Sequence, residues 1–201
     1  MNSPSVAARP SPLVSASTAE PEGATCSLLR MAVGDEVVAV GIEDVREILQ
    51  VSRLTPMPRT PDFVRGVMNL RGAVVPVVDL SARLGRPPTL IGRRSCIVVV
   101  DYQAAPQGAE TESSDRSLEG EPEAGGAESH VVMGVLVDAV FEVFDRPLNE
   151  LEPPPAMGTR IPPQFLRGIT RAGGELIGVL ALPRLLGVRE LTAGIANHQL
   201  N

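Results

Sequence analysis

Three polar residues within one short stretch carry the most pointed chemistry of this 201-residue chain: Asn69, Arg71 and Asp79. The guanidinium of Arg71 can offer a planar fork of donors to carboxylates or carbonyls of a partner. Asn69 can extend that donor set or satisfy neighbouring backbone groups. Asp79 can serve as an acid, or as the cap of a short helix beginning at Leu80.

These residues stand out because the stretch holding them is written twice. Phe63–Gly85 reads FVRGVMNLRGAVVPVVDLSARLG and Phe165–Gly187 reads FLRGITRAGGELIGVLALPRLLG, without gaps, each position lying 102 residues after its partner. Such self-similarity marks a duplicated structural unit. Phe63/Phe165, Arg65/Arg167, Gly66/Gly168, Gly72/Gly174, Val77/Val179, Leu80/Leu182 and Leu84/Leu186 are identical. Shared residues report what the fold needs; Gly66 and Gly168 are assigned to backbone geometry or close packing. The second copy replaces Asn69, Leu70 and Arg71 by Arg171, Ala172 and Gly173, and Asp79 by Ala181. A backbone requirement would have kept the polar residues in both.

No other constellation points to catalysis. His130 and His198 lack a nearby acid and nucleophile in a recognisable arrangement. There is no phosphate-binding loop, dinucleotide fingerprint, metal-ligand spacing or nucleophile elbow. Cys26 and Cys96 suggest neither a disulfide framework nor a metal site, and Cys96, in SCIVVV, reads as an inert buried thiol. No cofactor or metal is expected.

The net charge of −6 is unevenly spread. Residues 103–130 hold seven acids against Arg116, and residues 1–25 add about −1, which leaves a near-neutral body. That balance gives no electrostatic case for nucleic acid. All eighteen basic residues are Arg, which reads as compositional bias. No signal peptide and no run of ~20 apolar residues is present, so a cytoplasmic protein without direct membrane insertion is expected.

The elements that must position the polar residues are short. With no Trp, one Tyr and four Phe, the core must be Val, Leu and Ile, which favours strands. Leu28–Val33 and Glu36–Ile42 read as strands around a Gly34-Asp35 turn. Ile42, Val45, Ile48 and Leu49 fall at helical spacing, so Glu43–Leu49 is expected to form a short amphipathic helical segment. Residues 138–143 echo it. Phe63–Leu70 and Ala73–Val78 form a hairpin about Arg71-Gly72, with Pro76 marking an edge or a bulge. Asp79 then caps a short helix ended by Gly85, and Ser95–Asp101 and Val131–Val137 are further strands. Residues 1–26, 103–130 and 191–201 read as disordered tail, disordered acidic insert and C-terminal tail. The body between them, 27–190, divides into barrel regions 27–102 and 131–190. Sheets this small usually close, which removes exposed edges.

The ordered series Ile42-x-x-Val45-x-Glu47-Ile48, Leu54-Thr55-Pro56-Met57-Pro58, Phe63–Gly72 and Val75-Pro76-Val77-Val78-Asp79-Leu80 resembles the CheW-like chemotaxis coupling proteins. Gly134–Asp138 and Phe165–Gly168 continue it. The resemblance implies an all-β fold with short helices, built as two intertwined SH3-like five-stranded β-barrels. It implies a non-catalytic cytoplasmic adaptor, recruited to membrane-associated receptor arrays. There it would link the cytoplasmic tip of a methyl-accepting chemoreceptor to the regulatory domain of a CheA-type histidine kinase. The family's receptor-contact positions fall on Val45, Glu47 and Arg71, with Asn69 adjacent; the resemblance carries no individual kinase-contact residue. Glu142 and Val140 mirror Glu47 and Val45, so a surface charge and a core residue are the competing readings there. Two other functions stay open: a CheW-like scaffold of a non-chemotactic pathway (twitching motility, development or second-messenger control) and, remotely, an enzyme on the same barrels.

Overall fold

The computed structural model describes residues 24–104, 129–155 and 160–186. The tail before residue 24, most of the acidic insert and the C-terminal tail lie outside them. In chain order the strands are β1 (Thr25–Val33), β2 (Glu36–Gly41), β3 (Val45–Gln50), β4 (Val64–Leu70) and β5 (Ala73–Asp79). Helix α1 (Leu80–Arg83) follows, then β6 (Cys96–Ala104), β7 (Ser129–Val137), β8 (Ala139–Pro147), β9 (Leu166–Ala172), β10 (Glu175–Leu180) and α2 (Leu182–Leu186). They make two five-stranded sheets, ordered β8-β1-β2-β10-β9 and β3-β6-β7-β5-β4. The orders correspond one to one, and β4, β5 and α1 take the places that β9, β10 and α2 take in the other sheet.

The chain halves exchange strands. β1 and β2 leave residues 27–102 to join the sheet of β8, β9 and β10, while β7 crosses the other way. Each exchanged element is held on one side by a long antiparallel pairing, β1 with β8 and β7 with β6. On the other side it is held by a short parallel one, Val38 with Gly178 in one sheet and Val77 with Gly134 in the other. This is the intertwined pair of SH3-like barrels.

Each barrel closes through a bridge just past its edge strand. Thr55 exchanges two backbone bonds with Val67 of β4, at 2.9 and 2.8 Å, and Glu152 does the same with Ile169 of β9, at 2.9 and 2.8 Å. Those bridges explain the repeated glycine. A Cβ on Gly66 would sit 2.2 Å from the Thr55 carbonyl oxygen, and one on Gly168 would sit 2.9 Å from that of Glu152. Gly66 also has φ +128°, a conformation side chains rarely adopt.

The inner strands are buried on both faces and show near-continuous apolar runs, whereas the edge strands β3 and β8 keep a solvated face. In β6, Ile97 and Val99 fill one barrel with Met68, Val75, Val77 and Leu136. Val98 and Val100 face the other way, into the largest cluster, where both sheets and both helices meet. A smaller cluster of Leu28, Ala39, Ile177 and Val179 fills the second barrel.

Five expectations need correction. Val45–Gln50 is a strand, as is the echo within β8; only Ile42–Asp44 is helical, a single 3-10 turn. The apolar spacing there was an alternation, with Val45, Glu47 and Leu49 half-buried and Arg46, Ile48 and Gln50 exposed. Pro76 lies in an inner strand: its partner Val67 turns its own backbone groups to Thr55, and the β7 ladder starts only at Val77, so no bond is lost. The insert is narrower than 103–130, because Gln103 and Ala104 pair with His130 and Ser129. The ordered strand likewise reaches back to Thr25, inside the expected tail, and Cys96 is only partly buried.

Candidate functional site

The two-residue turn between β4 and β5 needs positive φ at both central residues to match the twist of its strands. Arg71 has φ +52° and Gly72 has φ +93°; Gly173 and Gly174 take +59° and +85° at the same places in the second hairpin. The second repeat therefore fills the first turn position with the residue its backbone prefers. The first repeat holds an arginine there against a local cost of about 1 kcal/mol. Asn69 anchors the turn, its Oδ1 accepting from the Gly72 N–H at 2.9 Å.

From this tip the Arg71 Nη2 donates to Oε2 of Glu47 at 3.0 Å. The Arg71 side chain is 75 % exposed and that of Glu47 is 19 % exposed, so the pair has an anchored anion and a solvated cation. It spans from β3 to the β4–β5 hairpin, the two edges of one barrel. Val74, opposite Asn69 in the hairpin, is 70 % exposed and adds apolar surface at the tip. The structure thus joins Glu47 and Arg71 and places Asn69 at the same turn. Val45 shares the strand with Glu47 but packs against the core between the barrels.

Asp79 is fully buried and structural. Its Oδ1 accepts from the Ala82 N–H at 3.2 Å, which caps α1, and from the Thr89 hydroxyl at 3.1 Å. Its Oδ2 accepts from the Thr89 N–H at 2.9 Å and lies 3.6 Å from Arg65. His130 does have an acid nearby: its Nδ1 is 3.1 Å from Asp101, which also faces Arg46 at 3.8 Å. Just before β3, burial and the neighbouring Glu43 raise the Asp44 pKa, while Arg167 opposes the rise.

Sequence reasoning missed two arginines. Arg30 on β1 binds Glu142 at 3.0 Å and Glu175 at 2.6 Å and lies over the Phe141 ring. Glu142, the counterpart of Glu47, is thereby tied to its own barrel. Arg83 lies between the rings of Phe63 and Phe165, at 4.6 and 5.2 Å, and its Nε donates to the Leu185 carbonyl at 2.5 Å. The identity of the two phenylalanines was the available signal: equivalent residues of a duplicated unit meet where the units join.

Comparison with known proteins agrees with this architecture. Residues 27–190 match the CheW-like domain. A chemotaxis protein CheW of Rhizobium meliloti is 31 % identical over 83 % of this chain and 90 % of its own length. Protein FrzA of Myxococcus xanthus is 32 % identical over 77 % of this chain and 81 % of its own length. The crystal structure of the scaffolding protein TtCheW from Thermoanaerobacter tengcongensis superposes with a TM-score of 0.64 at 28 % identity, covering 83 % of this chain and 91 % of that one. With two strand-exchanged barrels, closing bridges and a family match across the whole ordered body, this chain belongs to the CheW-like family.

Proposed function

We propose that this protein is a non-catalytic coupling adaptor. It brings a CheA-type histidine kinase, through the kinase's regulatory domain, to the cytoplasmic tip of a methyl-accepting chemoreceptor. The observation that carries the receptor side is the solvated guanidinium of Arg71, held on a turn whose backbone favours glycine and braced by half-buried Glu47. A receptor helix supplies carboxylates and carbonyls to such a fork, Asn69 and Val74 border the contact, and Val45 supports β3 from below.

The test is reconstitution of kinase, receptor tip and this protein, with kinase autophosphorylation as readout. The expected result is activation only when all three are present. Arg71→Glu should reduce receptor pull-down at least tenfold with unchanged circular dichroism; undiminished receptor recovery would refute the assignment. A second reading keeps the adaptor but places it in a non-chemotactic pathway. It is favoured by the FrzA relative, as similar in sequence as the chemotaxis relatives and named apart from them. Activation by a kinase–receptor pair from such a pathway alone would establish it.

A further inference from the structure

The two repeats differ in side-chain chemistry at the residue that precedes each short helix, which is buried in the first repeat and partly buried in the second. In the first, the Asp79 carboxylate fills the space beneath α1 and meets Thr89, Ala82 and Arg65. In the second, Ala181 stands there, and beneath α2 lies a cavity of about 430 Å³. Its walls include Pro154, Pro163 and Leu166, and Arg167 and Arg184 stand at it. Arg167 is the repeat counterpart of Arg65. Lacking an aspartate, it reaches Glu43 at 3.3 Å, in a pair whose side chains are 46 % and 54 % exposed. Pairs that exposed contribute little, so another anion can take the place of Glu43. Arg184 forms no ion pair with any described residue.

The proline walls contribute no N–H donors, so recognition rests on two guanidiniums, both fitted to a carboxylate. The first barrel shows within the same molecule what the equivalent space accepts. Pyrrolidine faces suit an extended peptide, and two donors are too few to enclose a free metabolite. We propose that this cavity is a carboxylate-binding site that receives an Asp or Glu side chain from an extended acidic segment of a partner protein. It lies on the second barrel and does not depend on the receptor reading of the Arg71 turn.

The test uses the full chain and the probe N-acetyl-aspartate N-methylamide, with the asparagine analogue as control. Arginine Nε–Hε resonances are followed by NMR. The aspartate probe should shift Arg167 and Arg184 with an affinity on the order of 1 mM, and the asparagine analogue should not. Arg184→Ala should weaken binding at least tenfold, and Arg71→Glu should leave it unchanged. Ala181→Asp should abolish binding by completing the site from within, with an unchanged or raised melting temperature. Equal shifts with both probes, or shifts that spare Arg184, would overturn the proposal. So would binding that emerges only after deletion of residues 105–128 or 188–201, since the protein's own acids would then occupy the cavity.

Discussion

Arg71 shows what a single position can trade between backbone comfort and recognition. Its left-handed conformation belongs to glycine, and the second hairpin uses glycine. Arg71→Gly should therefore hold or raise stability, by up to about 1 kcal/mol, while receptor binding falls. Urea denaturation beside a receptor pull-down checks both halves, and a marked loss of stability would contradict the strain argument. Asp44 gives a pH-dependent case. Its folded pKa is raised, first by burial and then by Glu43. Its contribution to stability is thus complete below the unfolded value near 3.8 and is lost as pH rises through the folded value. Asp44→Asn should be more stable than the parent at pH 7, with the gap closing below about pH 4. Melting curves across that range decide it. The repeat supplied an internal control that singled out Arg71, Asn69 and Asp79. Of these, Arg71 reaches across to β3, while Asn69 and Asp79 serve local turn and cap bonds. Arg30 was not legible in the sequence, because Glu142 and Glu175 reach it only through the strand order.

Among the elements, the closing bridges matter most for stability. Gly66 meets the Thr55 carbonyl and has a φ reserved for glycine, whereas Gly168 meets mainly the movable Leu151 side chain and lacks the positive φ. Gly66→Ala should cost about 3 kcal/mol or more, and Gly168→Ala clearly less. Chemical denaturation of the two variants tests the ranking; equal losses would mean that the bridges, not the backbone angle, set the cost. The hairpins and the Asp79 cap could be read from sequence because turn glycines and capping residues act locally. β3 could not. Its Val45, Ile48 and Leu49 fit a helical stripe as well as an alternating strand, and pairing with β6 settles the matter.

At the scale of the molecule, strand exchange makes the barrels interdependent. Residues 27–102 lack β9 and β10, which β1 and β2 need to complete their sheet. That fragment should remain unfolded alone, and the whole chain should unfold in one transition seen equally by circular dichroism and by calorimetry. Two separate transitions would contradict the shared core. Arg83, set between Phe63 and Phe165, strengthens the same union from its edge. The duplication was legible in the sequence. The exchange was not derivable from it, because periodicity says which strands exist and not which neighbours they choose.

The pairing of Val38 with Gly178 has one more consequence, for biosynthesis. The β1–β2 hairpin leaves the ribosome well before β8, β9 and β10, the remaining strands of its sheet. It must wait, apolar and unaccompanied, until those later strands have emerged. A nascent chain of this kind is a natural client of ribosome-associated chaperones, and its yield should depend on them more than that of a protein whose barrels mature one after the other.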